Sequence, residues 1–233
     1  MEIKYVITTV KELYQEPLEY LLDSMIIHGI NPKNIFLSSQ DTNSLYTNIS
    51  KVYFKRYNIS LYSANIPKQL YEYSFFIACQ EFLNAGIFKI NDYFFLIHDT
   101  SIIKNNHKSK ILNIVSNNTC HDIIYGNCTG QHNIGLFNYK AINLGYNIYK
   151  KHKYLNKKLA IDIEHNNANA NFSIKRHNDK INIFYPNIPW SEKRNVKVYK
   201  QNIMRVVSAL DYFDIEKYYV HVDQNNPHPH NIF

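Results

Sequence analysis

The sequence predicts an α/β fold, with a mostly parallel central sheet flanked by helices and a mixed α+β C-terminal half. Three observations carry this. Through the first hundred residues, apolar strand-like runs alternate with helix-period segments, the pattern of parallel strands joined by crossovers. Polar side chains recur at the carboxyl ends of those runs, where sheets of this kind bind ligands. Hydrophobic residues make up 45% of the 233, enough for a sizeable core and against wholesale disorder. No internal repeat and no linker is visible, so residues 1–233 read as a single domain.

The first strand is IKYVITTV, β-branched and aromatic, and it ends on the small hydroxyls Thr8 and Thr9. Pro17 suits the first turn of the helix that follows. Leu18, Leu21, Leu22, Met25 and Ile26 repeat at helical spacing, and Gly29 ends it. NIFLSS at 34–39 is the second strand, closing on Ser38, Ser39 and then Asp41. A short helix separates it from a weaker third strand, ISLYSA at 59–64, followed by Asn65. Pro67 opens the longest apolar helix, which Gly86 closes. The fourth strand, within YFFLIHDTSI at 93–102, ends on His98-Asp99-Thr100.

The second half is less regular. NIGLFNYKAI at 133–142 reads as a strand running into a helix. The stretch 159–185 suggests two strands and a loop, and Pro186 and Pro189 mark a further loop. An amphipathic helix is expected over 196–212, then a final strand or extended tail, KYYVHVD.

The net charge of +7 would attract phosphates, nucleic acid or anionic lipid, but the charges are scattered. The densest run, YNIYKKHKYLNKK at 146–158, fits a solvated basic helix or a phosphate- or membrane-facing patch. Tyr outnumbers Phe by 20 to 13, which places many rings at the core's edge or along a groove. The excess of Asn, Ile, Lys and Tyr follows A/T-rich codons, as in a large DNA virus or a bacterium of that bias. It weakens any motif built on Asn or Lys, including the Asn-x-Ser/Thr sequons. Cys79, Cys120 and Cys128 are odd in number and form no CxxC, which points to a reducing compartment. The N-terminus lacks a basic leader, and no apolar run approaches a membrane span. A soluble cytoplasmic protein is expected (host cytoplasm if viral), with peripheral membrane contact open.

Several nucleotide folds are excluded. After the first strand the chain reads TTVKELYQEP, with no glycine, so a dinucleotide-binding turn is missing; there is also no P-loop and no GxSxG elbow. No nucleic-acid motif supports binding to DNA or RNA, which is not expected. A phosphate must then be held by something other than a glycine nest. A divalent cation at a strand end, shared between a carboxylate and a diphosphate, would serve.

An apolar fourth strand ending in a short acidic triplet resembles the DxD region of glycosyltransferases with the A-type (GT-A) fold. The opening KYVITTV…PLEYLLDSMIIHGINPKNIFLSS is similar to the start of that family, and NIGLF to its acceptor-side strand. The resemblance covers about residues 3–145. It implies a nucleotide-binding half at 1–101 and an acceptor-side half at 102–233. It further implies a UDP- or GDP-type sugar donor and a glycan or glycoconjugate acceptor. Thr8, Thr9, Ser38, Ser39, Asp41, Asn65, His98, Asp99 and Thr100 would then face the nucleotide, and Asn133 and Gly135 the acceptor.

The triplet departs from the family's usual two carboxylates, since Asp99 is its one acid. Asp99 would bind Mn²⁺ or Mg²⁺ with His98 as a nitrogen ligand suited to Mn²⁺. Otherwise Lys or Arg neutralises the diphosphate, or activity has been lost. Some members complete the metal shell with a C-terminal His or Asp; here His221 and Asp223 are the candidates, against a plain polar tail. An inverting transfer needs a base for the acceptor hydroxyl. Asp162, Glu164 and Asp122 are candidates, against surface acids in loops. CHDIIYGNCTGQHN at 120–133 reads as a lid or acceptor platform, with His121 and His132 as structural histidines. The bland reading of Asp99-Thr100-Ser101 is a helix N-cap. The competing functions are a non-catalytic GT-A-like scaffold and a basic, Tyr-rich nucleic-acid-binding module.

Overall fold

A computed structural model describes residues 1–9, 15–39, 51–53, 55–56, 62–65, 74–99, 101–118, 120–125, 134–151, 174–176, 196–199, 202–210 and 212–221. The elements before residue 100 are β1 (Ile3–Thr9), α1 (Gln15–Ile27), β2 (Ile35–Ser39), β3 (Tyr62–Asn65), α2 (Ser74–Asn84) and β4 (Tyr93–His98). Residues 51–53 are helical, as the expected short helix requires. There follow β5 (Ser101–Ile103), α3 (His107–Asn117), β6 (Ile123–Tyr125), β7 (Gly135–Phe137), α4 (Tyr139–Tyr149), β8 (Ile174–Arg176), β9 (Val196–Tyr199), β10 (Asn202–Leu210) and β11 (Ile215–His221).

Seven strands form the main sheet in the order β3-β2-β1-β4-β7-β6-β8. The four strands β3, β2, β1 and β4 are mutually parallel, as the alternating sequence predicts. β7 runs against them, and β6 and β8 return to the first direction. A second, antiparallel sheet has the order β5-β11-β10-β9.

Both faces of the main sheet are covered, which is why its central strands are apolar at nearly every position. Tyr5, Ile7, Leu37, Phe95 and Ile97 face α1 and α3, together with Phe213 and Ile215 from the second sheet. Val6, Phe36, Phe94, Leu96 and Phe137 face α2 and α4. Leu18, Leu21, Leu22 and Met25, the apolar stripe of α1, are fully buried, each contributing roughly 2 kcal/mol. On the opposite side Gly145 of α4 lies against Phe76 of α2; a Cβ there would come within 2.3 Å of the ring.

The two glycines read as helix stops do that work. Gly29 has φ 77°; its N–H donates to Ile26 O and that of Ile30 to Met25 O. Gly86 has φ 71°, with Gly86 N donating to Leu83 O and Ile87 N to Phe82 O. Both are Schellman closures, whose left-handed residue favours glycine.

The helix expected over 196–212 is corrected: β9 and β10 occupy it, paired antiparallel from Asn202↔Tyr199 to Arg205↔Val196. Val196, Val198, Ile203, Val206 and Val207 are β-branched, and partner strands on both sides of β10 outweigh a helical spacing of apolar residues. The final strand is borne out as β11. The N-cap reading of Asp99 is also corrected, because the chain passes into β5, and α3 begins only at His107. Pro67, Pro186 and Pro189 lie outside the described residues. No described helix is long and apolar enough to cross a membrane.

Candidate functional site

The parallel register fixes which strand-end residues lie together. Thr8 is level with Ser38 on one side and His98 on the other, and Ser38 with Ala64. One residue further, Thr9 is level with Ser39, and Ser39 with Asn65. Asp99 follows His98 directly. Seven of the sequence-derived positions therefore share one edge of one sheet. Side chains alternate along a strand. His98 continues the face of Phe94 and Leu96 toward α2, and Asp99 lies in the turn just past the strand end.

The edge is polar yet little exposed. Thr8, Ser38, Asp99 and Ser101 are all buried, Asp99 being 5% exposed, and His98 is half-buried. Ser38 Oγ hydrogen-bonds Ser74 Oγ at 3.0 Å, so that hydroxyl fastens the start of α2 to β2. Thr8 Oγ1 and Ser101 Oγ are buried with no hydrogen-bond partner among the described residues. A buried hydroxyl left this way costs on the order of 1–3 kcal/mol, which a bound polar group would recover. From sequence Ser101 enters only as part of the helix-cap reading. It opens β5 in the second sheet, two residues past Asp99, where it pairs with Lys217.

Further along the row, Leu96 is level with Gly135, Gly135 with Tyr125, and Tyr125 with Arg176. Gly135 is buried inside the sheet, two positions short of the His98 row. Arg176 holds a register position on the same side. In the second sheet β11 runs antiparallel to β5, past Ser101 and back toward the strand-end side, and ends on His221. Asp41, Thr100, Asn133, Asp162, Glu164 and Asp223 lie outside the described residues. So does His132.

Asp122 is not brought to this edge. It precedes Ile123, which is level with Phe137 and through it with Phe94. That places Asp122 at the amino end of the sheet, roughly 20 Å along the strand direction from Asp99. Its carboxylate accepts from Asn138 Nδ2 at 3.0 Å and from Lys140 Nζ at 2.7 Å. Asn138 in turn caps α4 by accepting from Ala141 N. Asp122 is thus a clamp on the start of α4, a tertiary role with no signature in the sequence.

Among the described residues no group of three or more His, Cys, Asp or Glu converges. His98 and Asp99 are two adjacent potential donors. Such a pair fits a cation whose remaining ligands come from phosphate oxygens or water.

No protein-family model matches this chain, and no curated protein matches it. Solved structures do. S. aureus TarS, residues 1–349, gives a TM-score of 0.50 at 10% identity, over 77% of this chain and 58% of that one. The fold is GT-A-like. A Bacillus anthracis protein assigned as a glucose-1-phosphate thymidylyltransferase, solved with sucrose, gives 0.49 at 8% identity over 76% and 86%. A glycosyltransferase involved in glycosylation of the major capsid of PBCV-1 gives 0.41 at 10% identity over 75% and 82%. The last two scores carry no argument of their own. This chain spans little more than half of the TarS segment, and at these identities the likeness is one of fold.

Proposed function

We propose that this chain is a glycosyltransferase that moves a sugar from a UDP- or GDP-type donor to a hydroxyl of a glycan or glycoconjugate. The observation that supports the reading is the shared edge, where Asp99 is buried just past the end of β4, next to the Thr8–His98 pair.

In this reading Thr9, Ser39 and Asn65 face the nucleoside. Asp99, with His98, holds Mn²⁺ or Mg²⁺, and His221 or Asp223 completes the set. A divalent cation there would neutralise charge developing on the departing nucleotide diphosphate. Asp162 or Glu164 takes the acceptor proton. Asp122 has no part in it.

The test is a thermal-shift panel of UDP-, GDP-, CMP- and dTDP-sugars, each with Mn²⁺ and with EDTA, on wild type and Asp99→Asn. A shift for one nucleotide class that needs Mn²⁺ and vanishes in Asp99→Asn is the expected result. A shift indifferent to metal keeps the donor but moves its diphosphate onto Lys or Arg. Silence across the panel sinks the reading and favours a non-catalytic scaffold.

A further inference from the structure

On the α1/α3 face lies an open cleft with a volume of about 300 Å³, apart from the strand-end edge. Its floor is Ile114 of α3 and Ile124 of β6, its rim Asn113, Asn117 and Asn118, and one wall Tyr212 from the turn between β10 and β11. Cys120 and His121 complete the lining, which among the described residues holds no Asp, Glu, Lys or Arg. With no Lys or Arg in that lining to pair a phosphate or carboxylate, a neutral occupant suits the cleft better than an anion.

The rim is organised. Asn117 Nδ2 donates to Asn113 O at 2.9 Å and to Asn113 Oδ1 at 2.8 Å. These bonds orient the two amides one turn apart on α3. They leave Asn117 Oδ1 as an acceptor and Asn113 Nδ2 as a donor, each without a further partner among the described residues. Asn118 is locked differently: its amide donates to His121 O and accepts from His121 N, which pins the chain between α3 and β6. Tyr212 is half-buried and stands against Phe213 with ring centroids 5.3 Å apart, so the phenol is held by the core beneath it.

We infer that this cleft binds one unit of a neutral saccharide, with its hydroxyls on the Asn113–Asn117 amide pair and an apolar ring face against Tyr212. A sugar hydroxyl both donates and accepts. An oriented amide acceptor beside an amide donor matches two neighbouring hydroxyls, and an aromatic wall over an aliphatic floor suits the C–H face of the ring. The volume lies at the small end of ligand pockets, the size of a terminal unit rather than a nucleotide sugar. The inference stands apart from the transfer reading and rests on none of the strand-end residues.

The test follows the side-chain amide signals of Asn113 and Asn117 by NMR in the full chain. The titrants are glucose, galactose and N-acetylglucosamine, with uridine and glucose 1-phosphate as contrasts. At least one neutral sugar should shift both pairs saturably, at millimolar concentration. Asn117→Ala, at an exposed helix position, should weaken that binding about fivefold or more. Asn113→Ala should do the same, with the melting temperature of each variant checking the fold. Asp99→Asn should leave it unchanged, which separates this cleft from the donor site. The inference is overturned by the absence of any saturable shift, by tighter binding of uridine or the sugar phosphate, or by unchanged affinity in both asparagine variants. Loss of the shifts in Asp99→Asn would overturn it equally, by placing the sugar at the strand ends.

Discussion

The two ends of the seven-stranded sheet differ in how completely their buried hydroxyls and charges are paired. At the amino end the polar groups are engaged with one another. Lys4 Nζ bonds Glu2 and, at 2.9 Å, Asn34. Asp92 accepts from Glu2 N and Lys89 N, which ties the chain before β4 to the start of β1. Asp122 holds Asn138 and Lys140. At the carboxyl end Thr8 Oγ1 and Ser101 Oγ are equally buried, yet neither meets a partner among the described residues. Burial alone thus does not separate the two ends. What separates them is whether the buried hydrogen-bonding capacity is used within the fold.

The comparison can be broken in several ways. The largest effect is expected from Asp99→Asn. Under the transfer reading it should reduce turnover on the donor found by the thermal panel by roughly 10³-fold, about 4 kcal/mol, with the urea midpoint little changed. A midpoint that falls steeply would make Asp99 scaffold like Asp122.

Acid comes next, acting between the two ends. His107 lies beneath Tyr5 and Phe95, in mid-sheet, with Nδ1 2.5 Å from Phe213 O. Burial pushes its pKa down to about 4, against the opposing pull of the Phe213 carbonyl and Asp214. In the unfolded chain it titrates near 6.5. Between those values the unfolded chain binds a proton that the folded chain refuses. Stability is therefore complete above pH 6.5 and falls through the window to about pH 4, by up to roughly 3 kcal/mol. Urea titrations across that range should show the decline, and His107→Gln should flatten it.

The last two effects differ in sign. Asp122→Ala removes a clamp and should cost about 1–3 kcal/mol by urea denaturation, with turnover per folded molecule unaffected. Thr8→Val removes an unsatisfied buried hydroxyl at nearly constant shape, and should be neutral or stabilising by up to about 1 kcal/mol. A destabilised Thr8→Val would mean that the carboxyl end is stitched as tightly as the amino end.

Much of this was legible in the sequence where periodicity is strong. The stripe of α1, the glycine stops at Gly29 and Gly86, and the polar ends of β1, β2 and β4 all declared themselves. α3 did not. Its buried Ile111, Ile114 and Val115 are set among Lys, Asn and Ser, so the apolar stripe is thin and gives no clear helical period. β9 and β10 misled because apolar residues two apart and three apart coexist there, and only the pairing with β11 decides between them. Within the site, alternation alone located the strand-end edge. The Ser38–Ser74 bond and the Asp122 clamp join residues 36 and 16 or more positions apart, and no local pattern encodes them.

One connection also bears on how the molecule acquires its shape. β4 belongs to the main sheet and β5, three residues on, to the other, so Asp99 sits where the chain changes sheets. β5 is secured from far along the chain. His107 meets Phe213 across 106 residues, Asn106 meets Asp214 across 108, and Ser101 pairs with Lys217. Contacts closing loops of that length form late in folding. During synthesis the parallel half can collapse early, while the surroundings of Asp99 stay unfinished until β11 has emerged. Such a chain would bind nothing at its strand ends until β11 has been made, so the order of folding itself would guard that edge.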